Sequence, residues 1–168
     1  VSPQVYRDWE ERYEVYRIRE LCQEMHDFTR EFNIKDLQKA MFRREHFPKA
    51  VMSAQQANFE FMRGNAEYIP LSEAEGRIAL EGALPYPPGG ICCVPGEIWG
   101  GAVKAYFEAL AVGVNRFPGF APARQGVCLE TNEDGEKRIW VNVLKESRRR
   151  ELESAGLIRS LTAEIRCS

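Results

Sequence analysis

Apolar residues in the first third of the chain recur at spacings of three and four: Val15, Ile18, Leu21, Cys22, Met25, Phe28 and Phe32. That period predicts a helix with one apolar stripe and with Arg, Glu and Gln on its other face. Asn33 is the predicted N-cap of a second helix, with Asp36 in its first turn. Ile34, Leu37, Met41 and Phe42 form its predicted buried side, and Pro48 ends the stretch. Ser53 and Gln56 have the spacing of a capping box ahead of a third helix, which Gly64 stops.

The pattern then changes. Residues Arg77 to Ala83 alternate in part and lead into Pro85-Tyr86-Pro87-Pro88-Gly89-Gly90, which three prolines keep out of a helix. Ile91 to Val94 is a short predicted strand, closed by Pro95-Gly96. Glu97 is predicted to open a longer helix carrying Ile98, Trp99, Val103, Tyr106, Phe107 and Leu110, its carboxylate suited to the positive end of the helix dipole. Val127 to Thr131 and Arg138 to Leu144 read as a hairpin around Asp134-Gly135. Lys145 to Ser154 reads as a solvated helix with Gly156 past its end. The fold class is therefore α+β: N-terminal helices, then short strands, a Pro/Gly-rich loop, a helix and a C-terminal β-hairpin.

Composition narrows the partners. The 168 residues are enough for one domain with a real core, 44% hydrophobic and 29% charged. Lys and Arg total 23 against 25 Asp and Glu, so no net field draws the chain to nucleic acid or an acidic membrane. No apolar run approaches the roughly 20 residues that span a bilayer, and the start has no signal-peptide architecture. The chain does not begin with Met, which fits a piece of something longer. Cys22, Cys92, Cys93, Cys128 and Cys167 are odd in number and lack the spacing of a disulfide framework or a zinc site, so free thiols in a reducing cytoplasm are expected.

No self-sufficient catalytic constellation is visible: there is no P-loop, dinucleotide fingerprint or nucleophile elbow. His26 reads as a surface or boundary histidine, and Arg148-Arg149-Arg150 as a helix face neutralised by Glu146, Glu151 and Glu153. The segment from Pro85 to Glu97 differs, because dense proline and glycine make a loop of fixed shape beside a strand and a helix start. Two readings of Glu97 stand side by side: it faces a ligand cavity, or it caps its helix.

The run Leu84-Pro85-Tyr86-Pro87-Pro88-Gly89-Gly90-Ile91-Cys92-Cys93-Val94-Pro95-Gly96-Glu97 resembles the Y-P-P-G…P-G-E signature of the Orn/Lys/Arg decarboxylases, large bacterial enzymes of the pyridoxal-phosphate fold type I. Leu21 to His26, Pro70 to Ile78, Ile98 to Val103, Phe117 to Pro122 and Gln125-Gly126-Val127 are similar to the ornithine branch. The likeness runs from about Glu11 to Leu144 within an expected single domain of residues 1–168, with 145–168 a charged helical tail. Gly90, Cys93, Ala123-Arg124 (for the usual Glu-Leu) and Cys128 depart from the family pattern.

The resemblance implies a division of labour within a larger enzyme. That parent enzyme holds pyridoxal phosphate on a lysine of an S-x-H-K motif, with an aspartate at the ring nitrogen. None of the six lysines here follows a histidine, so this chain is expected to hold no cofactor, no catalytic residue and no metal. Its expected partners, by the same resemblance, are the large cofactor-binding domain of the same enzyme and further copies of that enzyme. The domain is expected to cover the mouth of the active site and to support dimer packing. Tyr86, Pro87, Pro88, Gly89, Pro95, Gly96 and Glu97 are the expected substrate-channel residues, with Glu97 attracting the distal ammonium of ornithine. Lysine or arginine as substrate, and a stand-alone non-enzymatic binding module, are the alternatives.

Overall fold

Ser53 and Gln56 do close on each other. The Gln56 N–H donates to Ser53 Oγ at 3.2 Å, and the Ser53 N–H donates to Gln56 Oε1 at 3.0 Å. The helix they start, and the elements around it, come from a computed structural model that describes residues 3–14, 17–86, 89–117 and 119–158. Helices α1 (Pro3–Tyr13), α2 (Ile18–Glu31), α3 (Ile34–Ala40) and α4 (Ala54–Met62) precede strand β1 (Ala66–Pro70) and strand β2 (Leu84–Tyr86). Helix α5 (Gly101–Arg116) leads to β3 (Ala123–Gln125), β4 (Cys128–Thr131), β5 (Lys137–Leu144) and helix α6 (Glu146–Ser154).

The sheet is antiparallel in the order β1-β5-β4, with Ile69 opposite Val141 and Cys128 opposite Trp140. Strand alternation sends Ile69, Ile139, Val141 and Val143 inward. Tyr68 and Trp140 go outward and stack with ring centroids 5.2 Å apart. Helix α5 adds Val103, Tyr106, Phe107 and Leu110 to this core and packs against both β5 and α3, with Tyr106 and Leu110 also facing α2 and α3 across a cavity. The result is three layers: sheet, α5, then α3 with α2. A second core gathers Val51, Met52, Ala57, Ile78, Leu80, Leu144, Leu152 and Ile158. Beside it Glu60, buried, takes a two-pronged contact from Arg148, Nε at 2.9 Å and Nη2 at 3.0 Å. That pairing holds the Glu60 carboxyl below its usual value. The charged helix after β5 is thus fixed at two points, by Leu152 in the core and by Arg148.

The α+β class and the hairpin form as the sequence predicts, and Gly64, Gly135 and Gly156 take the left-handed conformations their turns need. Several expectations are corrected. Ile91 to Val94 forms no strand: the Ala83 carbonyl accepts from both Cys92 and Cys93, leaving one isolated bridge, and Pro95 has no N–H to extend it. Glu97 does not open a helix. The Ile98 and Trp99 N–H groups are taken by the carbonyls of Lys49 (3.0 Å) and Arg77 (2.9 Å), so strand-like pairing outcompetes the helix until Gly101. Asn33 occupies the N-cap position of α3 with φ 49° but makes no side-chain cap. That helix ends at Ala40, well short of Pro48, and Phe42 stays exposed. Of the α2 stripe only Phe28 is buried, while Ile18 is 83% exposed; Val15 lies outside the described residues.

Gly96 sits where three segments meet. Its N–H donates to the Ala79 carbonyl at 2.7 Å, and its own carbonyl accepts from Val51 (3.0 Å) and Met52 (3.3 Å). Its φ is 92°, and a Cβ there would collide with the Met52 carbonyl oxygen. Gly64, at φ 75°, has open space around it. Gly96→Ala is therefore expected to cost about 3 kcal/mol or more, and Gly64→Ala about 1 kcal/mol from φ alone. Urea unfolding of the two variants side by side checks the order. Equal losses would mean that crowding at Gly96 is relieved by movement of Met52.

Candidate functional site

The proline-glycine segment starts as β2, which pairs with β3 through Leu84 opposite Gln125 and Tyr86 opposite Ala123. Pro87 and Pro88 lie outside the described residues. Gly89 returns the chain by donating to the Pro85 carbonyl at 2.8 Å, with φ 82° and the Tyr86 ring directly against it. Gly90 lies under the Phe42 ring. Ile91 is exposed, Cys92 and Cys93 turn into the core, and Val94 is exposed again before Pro95.

Tyr86, 47% exposed, lines a cavity of about 250 Å³ together with Met25, Phe28, Ile34, Tyr106 and Phe120. Its walls come from α2, α3, α5 and the segments flanking β2 and β3. Glu97 does not line it. The Glu97 carboxylate turns back on its own loop, Oε2 accepting from the Val94 N–H at 2.7 Å. It caps a turn rather than a helix. Burial pushes the Glu97 carboxyl above its usual value, and the Val94 N–H offsets this only in part. No cation among the described residues contributes, in contrast to Glu60. The Cys92 thiol is pushed up to about 12, by burial first and by the Glu97 charge in addition. Cys93 is raised by burial first and then by the Glu97 charge. Both stay protonated and unreactive at neutral pH. Cys22 and Cys128 are exposed free thiols, and Cys167 lies outside the described residues.

Pyridoxal phosphate needs an amine, an anion cradle and a carboxylate for its ring nitrogen. Among the described residues, the walls of the Tyr86 cavity hold no lysine, aspartate or glutamate. Lys104 is occupied by Glu108 (2.7 Å) and Glu75 (3.7 Å), and Lys145 donates to the Gly64 carbonyl. These residues do not fit the cofactor.

One residue escaped the sequence reading. Arg124, half-buried on β3 opposite Pro85, donates from Nη1 to the Pro122 carbonyl at 3.0 Å, while its Nε is enclosed without a partner. The only signal for it in the sequence is that Ala123-Arg124 breaks the pattern around it.

A family profile described as the C-terminal domain of Orn/Lys/Arg decarboxylases matches residues 35–145. The chain belongs to this family. It is 57% identical over 145 residues to the inducible ornithine decarboxylase of Escherichia coli, covering 86% of this chain and 20% of that protein. It is 49% identical over 144 residues to the ornithine decarboxylase of Haemophilus influenzae, with the same coverage. The solved structure of the constitutive lysine decarboxylase of Escherichia coli superposes with a TM-score of 0.71 at 29% identity, over 85% of this chain and 20% of that one. This decarboxylase domain therefore matches the C-terminal part of ornithine decarboxylases and stands further from a lysine decarboxylase. It spans about a fifth of the length of the relatives it matches. No helix among its described residues is long and apolar enough to cross a membrane.

The Glu97 geometry has a measurable consequence. A carboxyl raised by folding binds its proton more tightly in the folded state, so its favourable contribution is present below the ordinary value of 4.5 and is lost as pH rises through the raised one. A glutamine keeps an acceptor for the Val94 N–H and carries no charge to desolvate. Glu97→Gln is expected to melt at or above the wild-type temperature at pH 7.5, with the difference vanishing near pH 4. Glu97→Ala, lacking the acceptor, loses about 1 kcal/mol. A Gln variant less stable than wild type at pH 7.5 would show that a cation of this domain answers the charge.

Proposed function

We propose that this domain serves a cytoplasmic, pyridoxal-phosphate-dependent ornithine decarboxylase, which converts L-ornithine to putrescine and CO₂ for polyamine synthesis. In that enzyme it covers the active-site entrance and supports dimer assembly. The observation that carries the reading is Glu97: a carboxylate held by a rigid turn, raised by burial and answered by no cation among the described residues. A half-buried carboxylate that meets a backbone N–H but no cation within its own fold is a candidate for a positively charged partner outside it. Ornithine offers a distal ammonium of the matching sign. The much higher identity to ornithine than to lysine decarboxylases supports the choice of substrate.

The cofactor supplies an electron sink for the carbanion left by loss of CO₂. The lining of the Tyr86 cavity offers the cofactor neither an amine nor a carboxylate among the described residues, so the domain's proposed share is to shape the approach. Tyr86 and Gly89 fix the loop's outer surface, Pro95 and Gly96 anchor its inner end, and Glu97 supplies charge. Pro87 and Pro88 complete the proposed channel segment.

The purified 168-residue chain, given pyridoxal phosphate and carboxyl-labelled ornithine, lysine or arginine, is expected to release no CO₂. Addition of the separate large domain in trans is expected to restore release from ornithine. Turnover by the chain alone, abolished by changing one lysine, would overturn the reading. In the intact enzyme, Glu97→Gln is expected to lower kcat/KM for ornithine by about 1.5–3 kcal/mol of transition-state stabilisation. An unchanged kcat/KM would assign Glu97 to the turn alone.

A further inference from the structure

Arg124, like Glu97, meets no countercharge among the described residues. The other half-buried guanidiniums have carboxylates at home: Arg148 has Glu60 and Glu151, Arg149 has Glu153 and Glu146, and Arg77, whose Nε is also enclosed without a hydrogen bond, has Glu67 and Glu146. A guanidinium carries five donors. Arg124 uses one on the Pro122 carbonyl, and its Nε is enclosed with nothing to accept from it.

Its position links it to an apolar surface. Pro122, which holds Arg124, lines the same cavity as Tyr86 and Met25. Along α2, Cys22 and Ile18 continue the stripe of Met25 at helical spacing, and all three are exposed. On the other side of Tyr86, the exposed Phe42 ring lies over Gly90 and is followed by exposed Ile91. One face therefore carries an apolar stripe, a cavity of about 250 Å³ and, at its edge, a cation with no countercharge among the described residues. The opposite layer, the outer side of the sheet, is different: Tyr68 there stacks on Trp140 and donates to Glu130 at 2.7 Å.

We propose that this face docks the rest of the decarboxylase polypeptide, an apolar side chain of that part entering the cavity beside Tyr86 and a carboxylate pairing with Arg124. The proposal rests on the reading that the chain is a domain of a larger decarboxylase. Two facts select the occupant. The relatives hold about four-fifths of their length outside the matched span, and the unmet charge calls for an anion in a partly buried, apolar setting.

Two native thiols test this in the full-length enzyme. Cys22 lies on the α2 stripe and Cys128 in the opposite layer, and both are exposed in the domain itself. Iodoacetamide labelling, followed by peptide mass spectrometry, is expected to modify Cys22 at least tenfold more slowly than Cys128 in the native enzyme and equally in denaturant. Arg124→Gln is expected to speed Cys22 labelling at least threefold without changing Cys128, and Arg124→Lys to retain part of the protection. Equal native labelling of the two thiols overturns the docking face. Protection unmoved by Arg124→Gln overturns the charge pairing. Protection lost on dilution to single protomers, followed by light scattering, assigns the face to a second copy and overturns the proposed occupant. Ornithine turnover is measured on the same samples. An active enzyme with a freely labelled Cys22 sinks this inference alone, whereas an inactive one with Cys22 protected sinks the proposed substrate alone.

Discussion

The backbone between Val94 and Trp99 threads a gap that admits no side chain at Gly96. On one side it bonds to Lys49, Val51 and Met52, and on the other to Arg77 and Ala79. Ala79 in turn bridges Val143 of the central strand. Segments that are remote in sequence, the start of α4, the stretch before β2 and the hairpin, are thereby clamped through one residue. The inner end of the Pro/Gly-rich segment, from Pro95 to Trp99, is fixed by the backbone bonds of this crossing. Its outer end is fixed independently by the pairing of β2 with β3 and by Gly89 folding onto Tyr86. A loop pinned at both ends can hold a carboxylate such as Glu97 in a setting that raises its proton affinity, a cost that a mobile loop would escape by turning the group to water.

What the sequence makes legible is what local chemistry decides. The capping box at Ser53 and Gln56 needs only four residues to specify it, and the Asp134-Gly135 turn needs only its own φ preferences. The stretch after Glu97 is different. Its helical pattern is real, but Ile98 and Trp99 find partners in Lys49 and Arg77, roughly 50 and 20 positions away, and no local rule reports them. Strand β1 is similarly hidden: Glu67 and Tyr68 give little alternation and Pro70 argues against a strand, yet an edge position tolerates a residue without an N–H. At the candidate site, Tyr86, Gly96 and Glu97 stand out through their motif. Arg124 could be noticed only as a break in it, because its lack of a carboxylate is a property of three-dimensional surroundings.

The domain's electrostatics separate into two kinds. Glu60 with Arg148, and Lys104 with Glu75 and Glu108, are self-contained sets that tie α4 to α6 and brace the start of α5. Glu97 and Arg124 are of opposite sign, flank the same loop system and are not matched by a countercharge among the described residues. Removing one partner of a buried ion pair leaves a penalty, so an unmatched half-buried charge in a native fold points to a partner beyond it. The exposed α2 stripe points the same way in apolar terms, since a helix of this period normally buries its stripe.

The register of the sheet bears on how such a domain is made in the cell. Ile69 of β1 pairs with Val141 of β5, closing a loop of roughly 70 residues before the sheet can exist. The central strand comes late in the chain, so as the protein emerges from the ribosome the helices and β1 appear long before their template. Until Leu144 clears the exit tunnel, the inner face of α5 has nothing to cover it. Assembly of the domain is thus postponed until its own last strand has emerged, and the helices made before it wait for that strand.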